Sequence, residues 1–320
     1  MIRVVGAGAF GTALAIALCR VAPVALWARD DTHAATMRAE GRNEARLPGI
    51  ALPAGLQIES GPVAPDGVEA TLLAVPMQRL RALCEEARPM LLGGGPLVAC
   101  CKGMELGTGL HPTGVIADVL PEARAAILTG PSFASDIARG LPTALTLACR
   151  DEEVGAALQT LLSTETLRLY RTRDVTGAEL GGALKNVMAI ACGAAMGAGL
   201  GDSARAALLT RGFAEMVRTA QAMGAERQTL SGLSGFGDLV LTCTSEQSRN
   251  FRFGMSLGRG EGFDPATTVE GAATAEAFCA VAEDAGLDLP ITRAVMQLVK
   301  GQLRVKEAMD MLLSRPLKEE

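Results

Sequence analysis

Histidine, aromatic residues and long apolar stretches are all scarce in this chain of 320 residues. The two histidines, His33 and His111, are far apart in sequence, so neither a histidine-based metal site nor a Ser-His-Asp triad is expected. No stretch approaches the roughly 18 consecutive apolar residues of a membrane span. The formal net charge is −5 and there is no basic block, which argues against nucleic acid as a partner. We therefore expect a globular protein that acts on a small molecule.

The eight cysteines include no C-x-x-C pair, and most lie in or beside apolar runs. This distribution predicts buried thiols in a reducing compartment. The N-terminus, "MIRVVGAGAFGTALA", loosely resembles a signal peptide, but its glycines have the spacing of a motif that opens a domain. We therefore predict no targeting segment and a cytoplasmic location.

The hydrophobic pattern changes near residue 173. Before it, short apolar runs alternate with amphipathic segments, which is typical of β-α-β units around a parallel sheet. After it, alanine-rich segments repeat with a 3.6-residue period. We predict a doubly wound α/β domain over 1–173 and an all-helical substrate domain over 174–320, with 242–262 as a loop and short helix. Strands are predicted at 2–5, 24–28, 71–75, 97–101, 125–129, 143–148 and 166–170.

A glycine motif opens the chain. Gly6, Gly8 and Gly11 form G-x-G-x-x-G directly between an apolar strand and an alanine-rich helix. In such a motif the first glycine permits a tight turn, the second admits a pyrophosphate, and the third allows close packing of helix and strand. The helix N-terminus then offers its N–H groups to the phosphates. We predict a Rossmann-type domain that binds a dinucleotide.

The choice of nicotinamide cofactor depends on the end of the second strand. Arg29 is suited to a 2′-phosphate, whereas Asp30 or Asp31 is suited to a free ribose hydroxyl. The two acids are equally well explained as the capped start of a helix. We favour NADP(H) through Arg29, with tolerance of NAD(H).

Three strand ends place candidate ligand-binding groups at the carboxyl edge of the sheet, where open α/β sheets bind ligands. Val75 and Pro76 end one of these pieces, Lys102 follows a second strand, and Gly130 and Ser132 follow a third. Lys102 is suited to a carbonyl or phosphate, or it is simply a solvated lysine. Ser132 either contacts an anion or caps a helix.

Lys185 is the one cation in the stretch "GGALKNVMAI". On a helix its neighbours one turn away are glycine, methionine and alanine, so no carboxylate on that face can pair with it. Lys185 is then either a snorkelling side chain or one with a functional role.

Polar residues are concentrated between Asp238 and Arg252. Arg249, flanked by Ser248 and Asn250, is suited to holding a phosphate. Arg252 is equally suited, and a solvated surface loop also explains the stretch. Farther on, Glu270 reads by default as a helix-start acid.

In order, the motifs "GAGAFGTALA", "AVP", "CKG", "GPSFA", "GLPTA", "GGALKNVMAI", "TRGFAEM", "SGFGDLVLTC", "SRNFRFG" and "VEG" resemble those of bacterial NAD(P)-dependent glycerol-3-phosphate dehydrogenase. The resemblance implies reversible hydride transfer between NAD(P)H and dihydroxyacetone phosphate, giving sn-glycerol 3-phosphate for phospholipid synthesis. It implies that Lys185 is the general acid and base and that Lys102 assists it. The implied substrate contacts are Lys102, Gly130, Ser132, Lys185, Asp238, Thr242, Ser248, Arg249 and Asn250. The implied cofactor contacts are the three glycines with Ala9, Phe10, Arg29, Lys102, Ala134, Arg249 and Glu270.

Two positions depart from the family pattern without removing a catalytic group: Phe10 replaces a frequent Trp or Tyr, and Ser203 replaces a common Asn. Two alternatives stay open, a related two-domain hydroxy-acid dehydrogenase or reductase and a dinucleotide-sensing protein without turnover. The apolar helical half suggests a homodimer.

Overall fold

The computed structural model describes residues 1–314, and the chain forms two compact units. The first comprises Met1–Lys102 and Leu110–Glu179; the second comprises Gly103–Gly109 and the chain from Leu180 onward. The short segment Gly103–Gly109 thus belongs to the second unit although it lies within the first in sequence. The division predicted at residue 173 stays a prediction, and the last six residues of the range 174–320 lie outside the described residues.

The first unit is built on one eight-stranded sheet of order β3-β2-β1-β4-β5-β6-β7-β8. Its neighbours pair in parallel except for β6 and β7. The predicted doubly wound α/β domain followed by a helical domain is confirmed. The strands are β1 Ile2–Val5, β2 Val24–Trp27, β3 Gln57–Glu59, β4 Ala70–Leu73, β5 Leu97–Ala99, β6 Ala125–Thr129, β7 Thr143–Ala148 and β8 Leu167–Thr172.

Helices cover both faces of the sheet and bury its apolar side chains. One core lies between the sheet and α1, and a second contains Val5, Leu73 and Ile127 with α3 and α5. The helices that begin in this unit are α1 Ala9–Leu18, α2 Asp31–Glu40, α3 Leu80–Glu86, α4 Arg88–Leu91, α5 Pro112–Val119, α6 Ala134–Arg139, α7 Glu152–Leu162 and α8 Val175–Gly197, which continues into the second unit.

The antiparallel strand β7 departs from the expected parallel sheet. Between β6 and β7 the chain forms only the six-residue helix α6, which ends at Gly140 in the left-handed conformation. At 1.5 Å per residue this helix is about 9 Å long, too short to return the chain to the opposite edge of the sheet. β7 therefore enters from the carboxyl edge. The alternation of apolar runs did not reveal this reversal, nor did it reveal α6 or the short strand β3.

The second unit is helical in the part of the chain that the structure describes. The stretch 242–262 contains an eleven-residue helix, α12, where a loop and short helix were predicted. Ser248 caps this helix by accepting a hydrogen bond from the Phe251 N–H at 3.2 Å. Its glycines suggested a loop, but they lie against another helix. After α8 the helices are α9 Gly201–Ala222, α10 Arg227–Ser231, α11 Asp238–Cys243, α12 Arg249–Arg259, α13 Glu270–Ala285, α14 Pro290–Val299 and α15 Val305–Leu313.

Helices α8 and α12 cross at a glycine seam, which we define as Gly193 and Gly197 of α8 with Gly254 and Gly258 of α12. A Cβ at Gly193 would overlap the carbonyl of Phe251, and a Cβ at Gly254 would overlap the carbonyl of Ile190. The backbones therefore touch without intervening side chains. The seam fixes α12, and with it the loop that precedes α12, against the helix that carries Lys185.

Among residues 1–314 one helix, α8, is long and apolar enough to cross a membrane by composition alone. However, 83% of its most apolar 18-residue window is buried inside the protein. The core helix of a globular domain meets the same criterion, so this helix is weak evidence for a membrane span.

Glu179 is a buried carboxyl in α8, and it accepts a hydrogen bond from the Thr113 N–H at the start of α5 at 2.8 Å. Desolvation is the largest effect on its pKa and raises it, whereas hydrogen bonding to Thr113 and the charge of Arg150 lower it. The net result is a pKa of about 7 instead of 4.5. In the unfolded chain this proton leaves near pH 4.5, whereas the folded protein holds it until about pH 7. Unfolding therefore releases a proton between these values, and stability falls as the pH rises through them.

We expect Glu179→Gln to remove this pH dependence. The pKa difference corresponds to about 3 kcal/mol, so the variant should gain about that much relative to the parent protein between pH 4.5 and pH 8. Urea unfolding at both pH values measures the change. Glu153→Gln, an exposed carboxylate of α7, is the control and should show no such gain. Parallel pH profiles for Glu179→Gln and the parent would contradict the expectation.

Candidate active site

The glycine loop has the shape that a dinucleotide pyrophosphate needs. Gly6 has φ +113°, and a Cβ there would lie 2.5 Å from the Ala74 carbonyl oxygen. A Cβ at Gly11 would overlap the Gly6 carbonyl, which shows how closely α1 packs on the loop. At Gly8 a Cβ would meet nothing within 4 Å. The open space thus lies at the one glycine whose role is to admit the phosphates, so these residues fit the cofactor.

Arg29 and Asp30, which follow β2, differ in their contacts. Asp30 is the N-cap of α2, and its Oδ1 accepts a hydrogen bond from the His33 N–H at 2.9 Å. Arg29 is exposed and makes no hydrogen bond or ion pair with any residue in 1–314. The capping interpretation of Asp30 thus holds, and the adjacent guanidinium is available to an anion.

At the carboxyl edge of the sheet, Lys102 and Ser132 converge on one carbonyl group. Lys102 Nζ donates to the Gly130 oxygen at 3.1 Å, and Ser132 Oγ donates to the same oxygen at 3.3 Å. Gly130 has φ +137°, and a Cβ there would lie 3.1 Å from Leu145 of the neighbouring strand. The structure thus brings together the three residues of this edge that the sequence singled out. A cation and a hydroxyl at one point form a suitable group for an anionic or carbonyl ligand.

In the second unit, Lys185 lies in a compact polar cluster of three side chains. Its Nζ donates to Thr242 Oγ1 at 2.7 Å and lies 3.0 Å from Asp238 Oδ1. The Thr242 hydroxyl in turn donates to Asp238 Oδ1 at 3.1 Å. Lys185 is only 7% exposed and Asp238 only 1%.

This cluster corrects the expectation that Lys185 has no carboxylate partner. The helix face of Lys185 offers none, but Asp238 comes from α11, 53 positions later in the sequence. The burial of the ammonium also excludes the snorkelling interpretation. A single-helix argument could not find this partner because the contact is made between helices.

The cluster stabilises a charged lysine in a buried environment. Asp238 is close enough to favour the ammonium form by Coulomb attraction, and Thr242 fixes its direction. Cys243, next to Thr242, is buried, and desolvation raises its pKa well above the usual range. Its thiol therefore stays neutral beside the ion pair. Chemically, this arrangement is suited to donating a proton.

The three residues "SRN" at the start of α12 have different environments. Ser248 caps the helix, and Asn250 is buried, with its Nδ2 donating to Asn186 Oδ1 at 2.9 Å and its Oδ1 accepting from the Gly271 N–H at 3.0 Å. Arg249 is exposed at the first helical position and makes no hydrogen bond or ion pair within 1–314. Its guanidinium, at a helix N-terminus, is suited to an anion.

Asn250 also contacts the residues next to two other candidates, Lys185 and Glu270. Asn186 directly follows Lys185 in α8, and Gly271 directly follows Glu270 in α13. Asn250 therefore ties α12 to both helices. Elsewhere Ala9 is the first residue of α1, Phe10 the second, and Ala134 the first of α6. The ligand contacts assigned to all these residues stay predictions.

Sequence reasoning missed two buried amides in these regions. Asn186 holds the side chain of Asn250, and Asn43 lies below the glycine loop. A polar residue within an apolar stretch, as in "LKNVMAI", was the available signal for Asn186. No local pattern marked Asn43.

Comparison with known proteins decides the family. The model described as NAD-dependent glycerol-3-phosphate dehydrogenase N-terminus matches residues 1–155, and the model described as its C-terminus matches residues 174–310. The chain belongs to the NAD-dependent glycerol-3-phosphate dehydrogenase family. The predicted resemblance is thereby confirmed.

Individual members of this glycerol-3-phosphate dehydrogenase family match along their whole length. The glycerol-3-phosphate dehydrogenase (NAD(P)+) of Ruegeria sp. (strain TM1040) is 60% identical, with 100% of this chain and 99% of that protein covered. The protein of the same name from Cereibacter sphaeroides is 58% identical, with both chains covered to 100%. The crystal structure of glycerol-3-phosphate dehydrogenase from Coxiella burnetii superposes with a TM-score of 0.92 at 36% identity and 98% coverage of each chain.

Proposed function

We propose that this chain is an NAD(P)-dependent sn-glycerol-3-phosphate dehydrogenase that interconverts dihydroxyacetone phosphate and sn-glycerol 3-phosphate. The observation that supports this most directly is the buried cluster of Lys185, Asp238 and Thr242. A protonated lysine held by a carboxylate is a suitable acid for a ketone that is reduced to an alcohol. The names of the relatives and the open glycine loop support the same conclusion.

The nicotinamide, when bound, supplies or accepts the hydride. In the proposed mechanism Lys185 Nζ donates a proton to the substrate oxygen as negative charge develops there, and it removes that proton in the reverse direction. Asp238 keeps the lysine charged before the transfer, and Thr242 holds the amine in one orientation. Lys102 polarises the carbonyl. Arg249 binds the phosphate of the substrate with its planar pair of donors.

The decisive experiment is to mix the pure protein with dihydroxyacetone phosphate and follow oxidation of NADPH and NADH. Oxidation of either cofactor that depends on the substrate supports the proposal. Dihydroxyacetone without phosphate is the matched control and should react poorly. No oxidation of either cofactor would exclude the proposed activity. Equal rates with and without phosphate would favour a hydroxy-acid type of dehydrogenase instead.

Arg29 supports NADP(H) as the preferred cofactor, because its exposed guanidinium follows β2 while Asp30 is used as a helix cap. We expect Arg29→Ser to raise the KM for NADPH by roughly 10- to 100-fold, since a charged hydrogen bond to phosphate is lost. The KM for NADH should change little. Steady-state kinetics with each cofactor measures this shift.

Arg38 provides the control for this prediction. It lies on α2, but its guanidinium already donates to the Ile58 carbonyl at 3.0 Å and to Ser60 at 3.3 Å. Arg38→Ser should therefore leave the preference between cofactors unchanged. An equal loss for NADPH and NADH in Arg29→Ser would argue against a 2′-phosphate contact.

We further propose a cytoplasmic homodimer that supplies sn-glycerol 3-phosphate for phospholipid synthesis. The cysteines support a reducing compartment, since all eight are free and seven are buried. Light scattering of the pure protein tests the dimer, and a mass corresponding to one chain would exclude it.

A further inference from the structure

Asn43 lies in the loop after α2 and has no role in the proposed chemistry, yet its side chain is 1% exposed and fully engaged. Its Nδ2 donates to the Ala7 carbonyl oxygen at 3.0 Å and to Thr12 Oγ1 at 2.7 Å. Its Oδ1 lies 2.9 Å from His33 Nε2. Because a carbonyl oxygen only accepts, the Ala7 contact fixes which end of the amide faces the glycine loop. His33 Nε2 is then the donor to Oδ1.

The bond to Ala7 sets the direction of one particular N–H group. The carbonyl of Ala7 and the N–H of Gly8 belong to the same planar trans peptide, so they point in opposite directions. With the carbonyl held by Asn43, the Gly8 N–H points away from Asn43. Gly8 is the second glycine of the motif, and the space at its α-carbon is open. A pyrophosphate bound in that space would lie next to the Ala7–Gly8 peptide, so the direction of this N–H bears on its binding.

The other two contacts of Asn43 join the loop to both neighbouring helices. Thr12 is a buried residue of the first turn of α1. His33 lies in the first turn of α2, where its backbone N–H is also held by Asp30. The helix α2 begins two residues after Arg29, the residue proposed to bind the 2′-phosphate. One amide therefore links the segment for the pyrophosphate with the segment for the ribose.

We propose that Asn43 is a positioning residue for the dinucleotide, acting through the Ala7–Gly8 peptide. The proposal rests on the proposed function only in requiring that the chain binds NADP(H) or NAD(H). It does not depend on the identity of the second substrate. The side-chain contacts of Asn43 go to Ala7, Thr12 and His33.

The test is the substitution Asn43→Asp, which keeps the size of the side chain and its acceptor toward His33. A carboxylate has no N–H, so the Ala7 carbonyl loses its donor and faces an oxygen. We expect the Kd of both NADPH and NADH to rise by roughly 10- to 100-fold. Titration of NADPH fluorescence with pure protein, without substrate, measures this directly. With saturating cofactor, kcat and the KM for dihydroxyacetone phosphate should stay close to the parent values.

Asn43→Ser separates positioning from charge repulsion, because it removes the amide without adding a negative charge. It should weaken cofactor binding in the same direction. It also keeps the proposal testable if Asn43→Asp does not fold. Loss of affinity in Asn43→Asp alone would indicate repulsion of the phosphates and would overturn the proposal.

Gln159→Glu is the control for lost stability. Gln159 of α7 likewise donates its amide N–H to a backbone carbonyl, that of Leu169, at 2.8 Å. Leu169 lies in β8, the edge strand five positions from β1 in the sheet. This variant should lower the melting temperature and leave the Kd of NADPH unchanged. If Asn43→Asp behaved in the same way, Asn43 would be purely structural and the proposal would fail.

The outcomes distinguish this proposal from the proposed function. A parent protein that binds NADPH but does not reduce dihydroxyacetone phosphate would refute the activity, while weakened NADPH binding by both Asn43 variants would still support the positioning role. A parent protein that binds neither cofactor would refute both.

Discussion

Replacing Lys185 by alanine should lower kcat by about 10²- to 10⁴-fold, the usual contribution of a positioned general acid. The reason is the proposed role of Lys185 as proton donor, for which its buried Nζ is held by Asp238 and Thr242. Binding of NADPH should be retained because the glycine loop belongs to the other unit of the chain. Stopped-flow measurement of a single turnover, together with NADPH titration, separates the two effects.

The main difficulty of this experiment is stability. Removing Lys185 leaves Asp238 buried without its cation, and breaking a buried pair costs about 3–5 kcal/mol. The double variant Lys185→Met with Asp238→Asn removes both charges and should recover stability without recovering activity. Lys300→Ala, which breaks an exposed ion pair with Glu276 in the same unit, should leave kcat unchanged. Near-normal turnover in folded Lys185→Ala would remove the assigned role.

Replacing Arg249 by alanine should raise the KM for dihydroxyacetone phosphate by about 10²- to 10³-fold, because a charged bidentate contact to phosphate is lost. Arg249→Lys should recover only part of this loss, since an ammonium lacks the planar pair of donors. The weak reaction of dihydroxyacetone, which has no phosphate, should be little affected. Initial rates over a range of both substrates measure this difference.

Arg252 offers a matched control on the same helix. It is also exposed and lies three residues after Arg249, and composition alone did not choose between them. Ser248 and Asn250 anchor the helix start on either side of Arg249, whereas Arg252 lies three residues farther from the helix N-terminus. Arg252→Ala should leave the KM nearly unchanged. A larger effect from Arg252 than from Arg249 would transfer the phosphate contact to Arg252.

The fold could be predicted where the signal is local. Short apolar runs located seven of the eight strands, because strands such as β2 and β5 are continuously apolar in sequence. The antiparallel direction of β7 was not predictable, since it depends on the edge of the sheet at which the short helix α6 returns the chain. The stretch 242–262 was predicted as a loop and short helix, and the length of α12 was underestimated because Gly254 and Gly258 suggest a loop when considered alone. In the structure both glycines lie against α8.

The site, like the fold, could be predicted only where the sequence signal is local. Lys102 and the glycine loop are placed by the ends of strands, so their positions could be derived from the sequence. The partner of Lys185 could not, because Asp238 reaches it from another helix. Asn43 was also invisible, since it acts through the backbone of Ala7 and nothing near it in sequence suggests a ligand. Long-range side-chain contacts are thus the part of the site that required three-dimensional structure.

The glycine seam has a consequence for the evolution and redesign of specificity. A methyl group added at Gly193 or Gly254 would have to displace a backbone carbonyl, so the spacing between α8 and α12 cannot change by small single steps. A new substrate would instead have to be accommodated by exchanging the exposed Arg249, whose side chain is not part of the seam. If the proposed roles hold, Lys185 would then be inherited unchanged, while the chemical group bound at the start of α12 could diverge.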